Sequence, residues 1–290
     1  YALGEDVTIT DRIKISGDVQ LILTDGCTFN ATRGINLPEN STLSIYGQSG
    51  GTGKLNAKSG NKTAIGGENE ESCGTLNVYG GQVSAVSPVT AIGGGNSASK
   101  TAGNGGTVNV YGGQVSAESS GTAIGGGGST DGTGGNGGTV NVYGGMVNAL
   151  SDSGTAIGGG ASTGGTAGNG GTVNVYGGTV DANSTNVTAI GGGCSAIGTG
   201  GNGCTVNVYG GKLNAVSSSR AAIGGGLSTT GTSGSVGQTF ISGGSVSAYS
   251  KDGIAFDHAP TYGTNYIPKV TFGESDTSTV TKINPEDSVY

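Results

Sequence analysis

Apolar and polar positions alternate with period two over short stretches of this chain, break at a glycine pair, and begin again. In one such stretch Val108, Val110, Val115 and Ala117 alternate with Asn109, Tyr111 and Ser116, and Gly112-Gly113 interrupts the pattern. This predicts two short strands joined by a turn. A third short strand is predicted at Thr122-Ala123-Ile124, ahead of a glycine run at 125–128. The order then repeats: VNVYGG stands at 108–113, 140–145, 173–178 and 206–211, with looser copies at 43–47, 76–81 and 239–244. A spacing of 32 or 33 residues held over six steps means that one structural unit is stacked on itself. Three short strands per unit, returning in phase, predict one coil of an all-β parallel β-helix, a single-stranded solenoid.

The spacings divide each unit into a constant and a variable part. From the first valine of VNVYGG to the following Ile of AIGG takes 16 or 17 residues, as in Val108 to Ile124 and Val173 to Ile190. From that Ile to the next unit takes 16 residues in the regular repeats, but 11 from Ile65 to Leu76 and 8 from Ile35 to Leu43. Coil length therefore varies at one corner, where a Gly-rich loop such as 161–171 is inserted. Strand starts at Leu21, Leu43, Leu76, Val108, Val140, Val173, Val206, Thr239 and Val270 predict about nine coils. At roughly 4.8 Å per coil they make a rod about 40 Å long. The whole chain, 1–290, reads as one domain: 1–18 as an N-terminal cap or edge, 19–274 as coils, and 275–290 as a C-terminal tail. Residues 5–16 also alternate and are candidates for an edge strand.

With 65 glycines in 290 residues and 11% charged residues, composition alone would suggest low complexity. The phased Val and Ile argue instead for a narrow core of small side chains. The net charge of −7 and the lack of a basic cluster exclude a phosphate-backbone partner, so no nucleic acid is expected. No apolar run approaches the roughly 18 to 20 residues of a bilayer span, so no membrane insertion is expected. The chain does not open on a signal peptide and reads as a mature fragment. Its richness in Thr, Ser, Asn and Gly fits an extracellular or cell-surface protein. Cys194 and Cys204 flank one loop, CSAIGTGGNGC, which predicts a disulfide clipping it. Cys27 and Cys73 are left unpaired. The single histidine and the cysteine spacing give no metal site, and no cofactor is expected.

The opening DVQLILTDGCTFNATRGINLPENSTLSIYGQSGGTGKLNA, followed by units of the form TAIGGG…GGTVNVYGGxVxA, resembles the Gly-rich repeat regions of large secreted or wall-anchored proteins of Gram-positive, often gut-dwelling, bacteria. The resemblance covers nearly the whole chain. It implies a right-handed, pectin-lyase-like β-helix, a surface location and a loose carbohydrate-binding role, and it brings no defined catalytic residues.

If the valines point inward, the residues between them point outward. Asn77, Asn109, Asn141, Asn174 and Asn207 then form one external ladder. Tyr46, Tyr79, Tyr111, Tyr143, Tyr176 and Tyr209 form a second. Aromatic faces beside amides suit stacking on sugar rings and bonding to their hydroxyls, so a glycan or polysaccharide is the candidate ligand. Such ladders also stabilise parallel coils with no ligand, which leaves a purely structural stalk or self-associating unit as the alternative. The inserted loops, with Asn104, Asn136, Asn169 and Asn202 at one phase, fit either a packed Gly-rich layer or a solvent-facing flap. Thr90, Thr122, Thr155 and Thr188 form one of several threonine rows that would suit ice binding only if they shared a flat exposed face. An enzyme is not expected. The carboxylate clusters of uronan-cleaving β-helix enzymes are missing, and Arg12-Ile13-Lys14 matches a polygalacturonase motif by letter only. Two charged groups remain as lesser candidates: Glu68, Glu70 and Glu71 for a cation, and Lys251, Asp252, Asp257, His258, Tyr262 and Tyr266 near the last coil.

Overall fold

The computed structural model describes residues 4–263 and 270–271. The described chain is a parallel β-solenoid with three sheets, and each strand between the sheet ends pairs in parallel with its counterparts one coil before and after. In a regular coil the strands are Thr107–Val110, Gln114–Ser119 and Thr122–Gly125. The first belongs to a nine-stranded sheet that carries the tyrosines, the second to a ten-stranded Val/Ala sheet, and the third to an eight-stranded Ile-Gly sheet. Register is residue on residue through the repeats: Val108 pairs with Val140, Asn109 with Asn141, Val115 with Val147 and Ile124 with Ile157.

The core is a column of identical small side chains, as the alternation requires. Val108, Val110, Val115, Ala117, Ala123 and Ile124 are buried, and their equivalents repeat above and below. At the end of the tyrosine strand the chain turns on glycines, and Gly113, Gly145, Gly178 and Gly211 all have φ near +70°, a backbone region that Cβ-bearing residues avoid. Two serine rows that the alternation did not single out brace the other corners. Ser184 and Ser217 are buried and donate to Gly154 O and Val187 O at 3.0 and 2.8 Å. Ser162 and Ser195 do the same inside the loops, donating to Gly132 O and Gly165 O at 2.8 Å each.

The structure decides between the two loop readings in favour of a packed layer. Gly168 N donates to Gly160 O within its own loop and Gly193 N donates to Gly168 O from the next, at 2.8 and 2.9 Å. The same alternation links Gly103, Gly127, Gly135 and Gly160. Asn136, Asn169 and Asn202 each donate a backbone N–H to the side-chain oxygen of the preceding Asn at 2.9 to 3.0 Å.

Three sequence expectations change. Val19, not Leu21, pairs with Leu43, while Leu21 pairs with Ile45. A slip of two residues preserves the inward and outward faces, so alternation cannot detect it. Val270 pairs with Val246 in the Val/Ala sheet, and the ninth strand of the tyrosine sheet is Thr261–Tyr262. The N-terminal segment supplies edge strands, in keeping with the alternation over 5–16: Val7–Ile9 and Ile13–Lys14 stand at the ends of their sheets and pair with Phe29–Ala31 and Ile35–Asn36. The Cys194–Cys204 disulfide is not formed, and all four cysteines are free. Cys204 takes the place of Gly171 in the stack, and its buried Sγ lies 3.9 Å from Ile157 O in the core. Cys194 sits in the loop layer, where its carbonyl accepts Ser162 N. Burial pushes the Cys204 and Cys73 thiols up to about 12. The tail at 275–290 lies outside the described residues.

Candidate functional site

The outward positions of the tyrosine sheet form the two predicted ladders. Tyr79, Tyr111, Tyr143, Tyr176 and Tyr209 are 42 to 45% exposed, Tyr46 is half-buried, and the Gly-rich layer covers none of them. The loops enter at the other end of these strands, before Thr107 and its equivalents, so the tyrosine row stays open. Successive rings are stacked, with centroids 4.6 to 5.0 Å apart and planes within 12° of parallel from Tyr46 to Tyr209. The coil rise sets this spacing, because one Tyr is delivered at the same register in each parallel strand.

That stacking corrects the expected mode of contact. Each interior ring turns its faces to its neighbours, so the row offers ring edges and hydroxyls, and sugar rings cannot stack face to face along it. The Tyr111 phenol is held above its usual range, first by desolvation and then by repulsion from neighbouring phenolates at Tyr79 and Tyr143.

The Asn ladder is bonded along its length. Asn77 Nδ2 donates to Ser44 Oγ at 3.1 Å, and Asn109, Asn141, Asn174 and Asn207 each donate to the preceding Asn at 2.8 to 2.9 Å. The amides are half-buried. An interior amide uses one N–H and one oxygen lone pair in the ladder and keeps one of each for other partners. Thr75, Thr107, Thr139, Thr172 and Thr205 add a half-buried hydroxyl row on the same face.

The lesser candidates are absorbed by the fold. Thr90, Thr122, Thr155 and Thr188 are buried, so this row orders no surface water. Glu68 pairs with Arg12 at 2.6 Å and with Lys62, and Glu70 pairs with Lys100 at 2.8 Å. Burial alone would raise the Glu68 carboxyl, but Lys62 and Arg12 outweigh it and hold the group below its usual range. Arg12 also donates to Arg33 O and Thr63 O, tying three coils together.

Near the last coil, His258 Nδ1 lies 2.8 Å from Asp257 Oδ1, and Nε2 lies 2.9 Å from Thr239 Oγ1. Asp257 Oδ2 also accepts Gly225 N. Thr239 stands at an inward, valine-type position and is buried, so the imidazole satisfies a core-facing hydroxyl at the end of the stack. Sequence reasoning grouped Asp257 and His258 correctly but missed Thr239, whose signal was the replacement of a ladder valine by a hydroxyl. Tyr266 lies outside the described residues.

Among the described residues no three His, Cys, Asp or Glu side chains come together as a metal-binding group. No helix of the described chain is long and apolar enough to cross a membrane. Comparison with protein-family models, with curated proteins and with solved structures returned no match. The described chain is a parallel β-solenoid with an open Tyr and Asn face.

Proposed function

We propose that the chain is a non-enzymatic β-solenoid module, displayed at the cell surface, that binds polysaccharide along its tyrosine sheet. The observation that carries this reading is the uncovered row of five tyrosines, each 42 to 45% exposed, running along the rod with a half-buried amide row beside it. An extended glycan lying along this face meets a phenol hydroxyl, an amide and a threonine hydroxyl at each coil. Those groups supply the directional contacts that sugar hydroxyls need, and the ring edges supply apolar contact. The right-handed, pectin-lyase-like form and the kinship with Gram-positive surface repeats belong to this proposal; parallel crossovers are overwhelmingly right-handed.

Calorimetric titration with a panel of soluble polysaccharides tests it. Saturable binding that weakens at least tenfold in Tyr143→Ala and Tyr176→Ala is expected, and affinity unchanged by both substitutions removes the ladder from the contact surface. A structural stalk or self-associating unit is the second reading, favoured by the way the amides and rings satisfy one another. Under it, light scattering and electron microscopy show end-to-end rods and no polysaccharide on the panel binds.

A further inference from the structure

The amide ladder has a direction, and it ends at a defined place. Each Asn donates to the preceding coil and accepts from the following one. Asn207 stands opposite Phe240, which carries no donor, so Asn207 Oδ1 ends the row as an acceptor without a ladder partner. The next strand, Thr261–Tyr262, pairs only with Phe240 and Ile241. Among the described residues Gln238 and Thr239 therefore have no strand beyond them, and the described sheet ends in a notch.

That notch is a cavity of about 320 Å³ lined by Asn207, Gln238, Phe240, His258 and Thr261, with buried Thr239 at its inner wall. Its volume falls at the small end of ligand pockets. Phe240 meets Tyr209 edge-on, at 60° and 6.3 Å between centroids, so unlike the ladder tyrosines it is not stacked face to face with that neighbour. Among the described residues the lining holds no Lys, Arg, Asp or Glu side chain. Both His258 nitrogens are engaged, with Asp257 and Thr239.

We infer that this notch binds a single neutral, hydroxyl-rich ring, the terminal unit of a glycan. Its apolar face lies against Phe240, and its hydroxyls donate to Asn207 Oδ1 and bond with the Gln238 amide. The ligand class rests on the proposed function, but the location does not, because the notch lies past the end of the tyrosine row.

Free neutral hexoses and N-acetylhexosamines are the probes, titrated into the intact chain. His258 is the one histidine in the sequence, so its ring NMR signals report on the notch alone. The expected result is a saturable shift of those signals by at least one sugar, weakened at least tenfold in Phe240→Asn and unchanged in Tyr143→Ala. Phe240→Asn places an amide in ladder register with Asn207, removing both the aromatic platform and the open acceptor while continuing the row. Thr261→Trp fills the notch from its exposed rim, leaves Phe240 in place and is expected to abolish the shift as well. No saturable shift with any sugar, or a shift retained in both variants, overturns the inference. A notch that binds while Tyr143→Ala and Tyr176→Ala leave polysaccharide affinity intact sinks the ladder reading and keeps this one.

Discussion

The tyrosine face and the Gly-rich layer repeat with the same period but hold successive coils together by opposite means. On the tyrosine face the backbone ladder is complete, and side chains add a second set of contacts in the form of ring stacks and amide bonds. In the loop layer the backbone itself is the contact. A Cβ added to Gly168 would lie 1.8 Å from Gly135 O, and one on Gly201 would lie 1.8 Å from Gly168 O. The first face has room for a side chain at each outward position, whereas at these glycines of the second there is none. Glycine is thus a packing requirement in one region, while the Asn and Tyr of the other are additions that the coil itself does not demand.

The sharpest break of this comparison is Gly168→Ala, expected to destabilise by about 3 kcal/mol or more, because backbone of the adjacent loop must move. Its control lies in the same layer. Gly128 has no atom closer than 3.5 Å to an added Cβ, and its stack equivalents are Asn96, Ala161, Cys194 and Leu227. Gly128→Ala is expected to change stability by less than about 1 kcal/mol. Urea denaturation of the two variants measures the difference, and equal losses would mean that the layer is not close-packed.

Cys204 tests what a side chain does at a glycine position of the stack. Its folded pKa, pushed up to about 12 by burial, lies above the unfolded value of about 8.5. The unfolded chain therefore loses this proton first, and the contribution to stability declines as pH rises from about 8.5 towards 12, by about 2 kcal/mol at pH 10. Cys73 contributes in the same direction. Cys204→Gly restores the residue of the preceding coils and should shallow this alkaline decline, read by thermal melts between pH 8 and 10.

On the tyrosine face smaller effects are expected. Asn141→Ala removes two ladder bonds, its own to Asn109 and the one it accepts from Asn174. It should cost about 1 to 2 kcal/mol, the low end for two hydrogen bonds, since half-buried partners regain water. Tyr143→Phe keeps the stack and should alter stability by less than about 0.5 kcal/mol. Polysaccharide affinity is its informative readout: a several-fold loss assigns the contact to the hydroxyl edge, and no loss leaves the row as scaffold.

Much of this was legible from residue order. The inward Val and Ala, the Gly-Gly turns and both external ladders follow from period-two alternation and from the 32- or 33-residue repeat. Less legible were features at the ends of the stack. The register of Asp18–Leu23 was hidden because Val19, Leu21 and Leu23 fit inward equally well after a slip of two. The place of Val270 was hidden because spacing alone does not say which sheet a strand joins. Cys194 and Cys204 looked paired along the chain, yet one sulfur lies in the core while the other residue belongs to the loop layer.

The sequence by itself determined the coil, its core column and which residues leave that column. These are local properties, copied from one repeat to the next by near-translational symmetry. Only the tertiary structure decided that the tyrosines are uncovered yet turn their faces to one another, that the loops pack through their backbones, and that the amide row ends at Phe240 beside a notch. Each of these depends on what the neighbouring coil places a few ångströms away, or on where neighbours stop, and a repeat motif carries neither distance nor end.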